Sequence, residues 1–474
     1  MRSVVIHGHF YQPPRDDPWT GAIPPEASAA PHHDWNERIE RECYAPVAPS
    51  LASVSFDFGP TLLAWMERHA GGTYAAVVAA DRASAARHGG GHGNAVAMPY
   101  HHTILPLAPR RDATTEVRWG IADFRRRFGR EPEGMWLPET AVDDATLDVL
   151  AAEGIAFTIL APHQVERVPA GGLPGWYRTA AGRRIALFLY DGAISHGVAF
   201  GPLVRDAAAW VERLTAAPAD VVAVATDGET YGHHHRGGDV TLARTLETLH
   251  GRADVRVENF AAVLSRHPPR EEVRLVAPSS WSCPHGVERW RAECGCRAAP
   301  ERDTHQRWRA PLRAALEWLA EELHAVFERE SAPLVTDPWA ARDAYGAVLG
   351  AADDAVARFW DAWLYRPGDP AARARAHQLL ELERHALRMF TSCGWFFDDI
   401  AGLESVIVLR SAARAIELAG PEAARLEAGL LDRLALAPSN DPAVGSGREL
   451  YLERVKARLH PRSPSPQRGE GARG

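Results

Sequence analysis

Val221-Val222-Ala223-Val224-Ala225-Thr226-Asp227-Gly228-Glu229-Thr230-Tyr231-Gly232-His233-His234-His235 is an apolar run that ends in chemistry. Six small or β-branched residues read as a buried strand, and two acids and three histidines follow at once. Working outward, the same unit recurs. Strand-like runs are expected at Val4–His9, Val54–Phe58, Ala95–Tyr100, Gly134–Leu137, Phe157–Leu160, Ile185–Tyr190 and Val255–Val257. Helical stretches lie between them at Pro60–His69, Tyr74–Arg87, Thr115–Phe128, Asp143–Glu153, Asp206–Leu214 and Val240–His250. Alternation of this kind predicts an α/β fold with a parallel sheet, and seven or eight such units close more readily into a barrel than an open sheet.

Polar residues cluster just after these runs: His9 and Gln12, His101 and His102, Glu139, His163, Asp191 and His196, then Asp227 and Glu229. In a parallel barrel all of these fall on the face where the βα loops build a site. Their being mostly His, Asp and Glu sets them apart from ordinary loop residues. Glu139 follows Gly134-Met135-Trp136-Leu137-Pro138, where the glycine permits close approach and the proline stiffens the backbone presenting the acid. Two acids at strand ends are what cleavage of a glycosidic bond requires, one to attack the sugar and one to protonate the leaving oxygen. His7 and His9 share a strand face and could bind sugar hydroxyls or a metal.

From about Glu301 the pattern becomes long 3.6-period stretches, at Thr304–Glu328, Asp337–Gly350, Asp353–Tyr365, Ala371–Phe390, Gly402–Leu418, Ala423–Leu434 and Arg448–Leu459. The expected organisation is a barrel over 1–270, a Trp-, Cys- and His-bearing junction over 271–300, a helical domain over 301–460 and a disordered tail over 461–474. In the junction, Cys283, His285, Cys294 and Cys296 could hold zinc, although their spacing is not a usual knuckle. The other reading is a substrate loop with Trp281 as platform and His285 as polar contact. Thr391-Ser392-Cys393-Gly394-Trp395-Phe396-Phe397 interrupts the helices and either reaches over the barrel mouth or packs as a turn.

The net charge of −8 and the absence of a basic block argue against nucleic-acid or anionic-membrane binding. Five cysteines in 474 residues suit a reducing cytoplasm. The N-terminal Met1-Arg2-Ser3-Val4-Val5-Ile6-His7 reads as a strand rather than a signal peptide.

With these residues assembled, the chain resembles glycoside hydrolase family 57, the α-glucan-active amylases, 4-α-glucanotransferases and branching enzymes. Its five short regions are matched in order by His7–Pro13, His92–Pro106, Gly134–Glu139, Ala225–Gly232 and the Trp281–Trp290 segment. The resemblance implies an incomplete (β/α)7 barrel followed by an α-helical bundle. It implies Glu139 as nucleophile and Asp227 as acid/base, with no cofactor and no metal at that site. The substrate contacts expected are His7, His9, Gln12, His101, Trp136, Glu229, Trp281, His285 and Trp395, and the partner is an α-glucan or oligosaccharide. The Ser280–Cys296 and Cys393–Asp399 stretches are similar to a less characterised subgroup with a domain of unknown function, whose members are longer, so a truncated chain is one reading. Two rival functions stand beside this one. A metal-dependent polysaccharide deacetylase or mannosidase-like barrel would bind zinc through His7, His9, Asp227 and a further His. A non-catalytic glucan-binding protein would retain the cleft without turnover. Hydrolysis versus transfer, linkage preference and oligomeric state stay open.

Overall fold

The computed structural model of the chain describes residues 1–457, so the expected tail over 461–474 lies outside the described residues. Among the described residues there are seven strands: β1 (Arg2–Phe10), β2 (Ser55–Phe58), β3 (Phe157–Leu160), β4 (Gly175–Arg178), β5 (Arg184–Leu189), β6 (Val221–Asp227) and β7 (Val255–Val257). β1 is central. It pairs in parallel with β2, with β6 over its full length, and with β7 at its N-terminal end. Parallel bridges carry the pairing onward from Phe56 to Ala95, from Ala97 to Met135 and from Gly134 to Phe157, and β3 then pairs in parallel with β5. A bond from the Asp191 N–H to the Ala223 carbonyl, 2.7 Å, joins the end of β5 back to β6. The runs expected at Ala95–Tyr100 and Gly134–Leu137 thus supply bridges rather than full strands.

β4 was not expected from the sequence. It pairs antiparallel with β5, as the outer arm of a hairpin too short to show a clear alternation. The expected helices are present with ends shifted by a few residues. Pro60–His69 is matched to the residue, and Thr115–Phe128 begins earlier, at Arg110. Val4 and Ile6 of β1 face one core and Val5 another, each fully buried, which accounts for the unbroken apolar run. A side chain of that size gains roughly 1.5–3 kcal/mol by such burial. Gly134 is required by packing. A Cβ there would stand 2.3 Å from the Phe157 ring, so any side chain would push the segment leading to Glu139 out of line.

Beyond residue 300 the described structure is helical, with Arg309–Ser331, Pro370–Arg388 and Leu403–Leu418 as its longest members. They enclose a core that reaches into the first half through Tyr100, Ile104, Trp119 and Ala141. Among the described residues no helix is long and apolar enough to cross a membrane.

Candidate active site

A cleft of about 520 Å³ opens at the C-terminal ends of β1 and β6 and is closed on one side by the helical half. Its lining includes His9, Gln12, His102, Glu139, Asp227 and Glu229 from the first half, with Cys393, Phe396, Phe397 and Glu404 from the second. The two acids expected to work together, 88 residues apart in the chain, therefore face one space.

Glu139 stands on a strained backbone. Its φ is +57° and that of Thr140 is +48°, both in the left-handed region that costs a residue with a Cβ on the order of 1–3 kcal/mol. The surroundings hold this geometry. The Trp281 N–H donates to the Glu139 carbonyl at 3.0 Å, and Gln164 donates to the Thr140 carbonyl at 2.8 Å. One carboxylate oxygen, Oε2, accepts from Trp281 Nε1 at 3.0 Å and from Ser282 Oγ at 2.6 Å. Two donors on one oxygen fix the direction of the carboxylate.

Asp227 ends β6, in register with His9 on β1. Its side chain meets the water of the cleft, yet protein surrounds it closely. Desolvation in that setting, together with the carboxylates of Glu229, Glu139 and Asp57, pushes its pKa up to about 7 against the lowering effect of His9. Gly228 makes the turn possible, since a Cβ there would lie 2.2 Å from the Phe10 ring. Glu229 folds beneath. Its Oε1 accepts from the Tyr44 hydroxyl at 2.6 Å and from the Tyr11 N–H at 3.2 Å, and burial raises its pKa.

A chain of hydrogen bonds runs under the cleft floor. Asp57 Oδ1 meets His7 Nε2 at 3.0 Å and Asp57 Oδ2 meets His9 Nδ1 at 2.8 Å. His9 Nε2 faces His102 Nε2 at 3.2 Å, and His102 Nδ1 meets Ser392 Oγ of the helical half at 2.6 Å. The protonation pattern follows from the charges. Burial disfavours a charged His9, but Asp57, Asp227 and Glu229 outweigh it and raise its pKa to about 9, whereas burial and charged His9 hold His102 well below the usual range. His9 is then an imidazolium donating to Asp57 and to His102, and neutral His102 donates its Nδ1–H to Ser392 Oγ. His7 is neutral, held down by burial, with Ser55 Oγ 3.1 Å from its Nδ1.

Several expected contacts are placed elsewhere. His101 is buried away from the cleft, its ring on Glu116 at 2.7 Å, and its neighbour His102 faces the cleft instead. The φ of +58° at His102 separates the two consecutive side chains. Trp136 is fully buried beneath the histidines, its ring stacked on His7 at 4.8 Å and on His9 at 5.3 Å, so it supports the floor rather than presenting a sugar platform. Trp395 is also fully buried, with Nε1 donating to the Arg309 carbonyl, and its neighbours Phe396 and Phe397 reach the cleft instead. His7 is buried in the relay and Trp281 acts on Glu139 directly. His285 is exposed, beside Cys296. Gln12 lines the cleft and accepts from Arg15. Asp191 caps a helix through the Ile194 N–H, and His163 meets the Ser280 carbonyl. The main residue that the sequence reading missed is Asp57. Its signal was an acid inside the apolar run Val54-Ser55-Phe56-Asp57-Phe58, on the same strand face as Ser55.

Residues 89–276 match the family model for glycosyl hydrolase family 57, and residues 304–462 match a domain of unknown function, DUF3536. The chain therefore carries a glycosyl hydrolase family 57 region followed by a DUF3536 region. Solved structures share the fold at low identity. An exo-type maltose-forming amylase from Pyrococcus sp. ST04 is 16% identical with a TM-score of 0.72, over 92% of this chain and 83% of that one. A 4-α-glucanotransferase from Thermococcus litoralis is 15% identical with a TM-score of 0.55, over 88% of this chain and 59% of that one. A branching enzyme from Pyrococcus horikoshii is 15% identical with a TM-score of 0.56, over 96% and 94%. No curated protein matches the chain.

Proposed function

We propose that this protein is a retaining glycoside hydrolase or transglycosylase acting on α-1,4-glucans, with Glu139 as nucleophile and Asp227 as acid/base. The observation that carries this reading is the division of labour between two acids lining one cleft. Asp227 is pushed up to about 7, so that much of it is protonated near neutrality, while Glu139 is held in one direction by the donors of Trp281 and Ser282. In the first step the Asp227 proton passes to the glycosidic oxygen as Glu139 bonds to the anomeric carbon and the C–O bond breaks. In the second, Asp227 takes a proton from water or a sugar hydroxyl, which attacks the same carbon and frees Glu139. His9 supplies the positive charge that keeps Asp227 from rising further, and Gln12, His102, Phe396 and Phe397 line the space for sugar rings.

The succession of parallel pairings supports reading residues 1–270 as an incomplete (β/α)7 barrel. The helical packing supports a bundle domain over 301–460, joined to it by the junction over 271–300. The zinc-dependent deacetylase reading fits less well, because both ring nitrogens of His7 are occupied by Ser55 and Asp57. Product analysis on maltooligosaccharides and amylose is the test. Shorter sugars, disproportionated ladders or new branches support the reading and choose among its forms. No change in any of these substrates overturns it, and glucan binding without turnover would favour the non-catalytic alternative.

A further inference from the structure

The junction carries a second cluster. Cys283, His285, Cys294 and Cys296 each offer a ligand atom, and the four atoms lie within 4.8 Å of one another. Among the described residues this is the one such grouping of three or more His, Cys, Asp or Glu. The pairwise geometry is specific. Cys283 Sγ stands 4.0 Å from Cys294 Sγ and 3.7 Å from Cys296 Sγ, and Cys296 Sγ stands 3.6 Å from His285 Nδ1. A tetrahedral zinc with Zn–S near 2.3 Å and Zn–N near 2.05 Å puts its sulfurs about 3.8 Å apart and sulfur and nitrogen about 3.5 Å apart. The three separations of 4.0, 3.7 and 3.6 Å are close to those edges, and no pair of the four atoms is more than 4.8 Å apart.

We propose that Cys283, His285, Cys294 and Cys296 bind one structural zinc ion that fastens the junction loop against the cleft. Three thiolates and a neutral imidazole fill the four positions of a tetrahedral site, leaving none for a substrate or water. Such a centre carries a net charge of −1, and a counter-charge is built in. Arg309 Nη1 approaches Cys294 Sγ at 3.9 Å, and its Nη2 donates to the Cys296 carbonyl at 3.0 Å. The loop also has reason to need a clasp. Its one regular element is a single turn, Glu288–Trp290, and a chain without helix or strand ladders holds its shape through side-chain ties.

The consequence reaches the cleft. Cys283 directly follows Trp281 and Ser282, the two residues that grip the Glu139 carboxylate. From the same loop, Arg289 donates to the Ser282 carbonyl at 3.2 Å and to the Phe396 carbonyl at 2.9 Å, tying the clasp to the cleft's helical wall. The zinc therefore holds the segment that orients Glu139, and this assignment stands whether or not the proposed reaction is correct.

The test is metal analysis of the full chain purified under reducing conditions without chelators. One zinc per chain is expected. A Cys294→Ser/Cys296→Ser double variant should lose it. His285 is exposed, so His285→Ala should fold and bind zinc more weakly, while His285→Cys should retain it. Cobalt in place of zinc should show the d–d bands of a tetrahedral centre and thiolate charge transfer. Removing zinc with a thiol-directed mercurial and a chelator should expose residues 283–296 to limited proteolysis. Three results overturn the proposal: no metal above trace after incubation with stoichiometric zinc, full zinc content in the double variant, or a mass showing a disulfide among these cysteines in the freshly purified reduced protein.

Discussion

Two ionic clusters in this molecule are made of similar residues and behave in opposite ways. Between the halves, Asp112 of helix Arg110–Phe128 and Glu383 of helix Pro370–Arg388 meet Arg342 and His324. Two acids face two bases. The two cations hold Asp112 down at about 2 and Glu383 below its usual range, and the acids hold His324 up at about 10, in each case against the cost of burial. Every charge there is matched. At the cleft, Asp57, Asp227 and Glu229 gather around charged His9, and Glu139 adds its charge beside Asp227. Asp57 takes most of that charge, and its pKa falls, while Asp227 and Glu229 are left to rise. A matched cluster joins two halves of a fold, whereas an excess of acid leaves a proton at an address where chemistry can use it.

The largest effect expected is on turnover. Asp227→Asn and Glu139→Gln should each lower kcat roughly a thousandfold on an α-glucan, with the melting transition kept, as judged by rates beside thermal unfolding. Unequal clusters should then separate by the kind of damage. Arg342→Met leaves two buried acids to share the single cation His324 and should destabilise by about 3–5 kcal/mol in denaturant titration while leaving the pH dependence of kcat in place. Asp57→Asn should cost less stability, since the amide keeps a hydrogen bond to each histidine, but it should lower the pKa of His9 and so alter the pH profile. If Arg342→Met moved the profile and Asp57→Asn did not, the contrast would be wrong.

Smaller still is the shift expected from His9→Gln. His9 lowers the Asp227 pKa, so its removal should move the alkaline limb of kcat, set by loss of the Asp227 proton near 7, to higher pH. The same carboxyl has a stability signature. A folded pKa above the unfolded value means that the native state holds the extra proton between about pH 4 and 7, so stability falls as pH rises through that window. Asp227→Asn should flatten this decline. The solvent that reaches Asp227 keeps the effect on the order of 1 kcal/mol.

Much of this was legible in the sequence because strands and their ends obey simple rules. An apolar run closed by an acid locates both a strand and the face where its last residue emerges, and Glu139 and Asp227 were found that way. Residues set by backbone twist or by a one-residue register were not. His101 and His102 are adjacent and identical, and a left-handed φ at the second sends one ring to Glu116 and the other to the cleft. Trp395 and Phe396 end a single helical turn and Phe397 follows it in extended backbone, so which ring points outward depends on how that turn docks on helix Leu403–Leu418. Asp57 was hidden because an acid flanked by two phenylalanines reads as an irregularity of a core strand until its partners, some 50 residues away on β1, are in view.

The most direct measurement of the central claim is azide rescue of the two acid variants, with the anomeric configuration of the product read by NMR. On an α-glucosyl fluoride, Glu139→Ala should recover turnover with azide and yield the β-glucosyl azide, since azide replaces the missing nucleophile. Asp227→Ala should yield the α-azide, since Glu139 still attacks first. The same configuration from both variants, or rescue of neither, would contradict the pairing of Glu139 and Asp227 as nucleophile and acid/base of one retaining site.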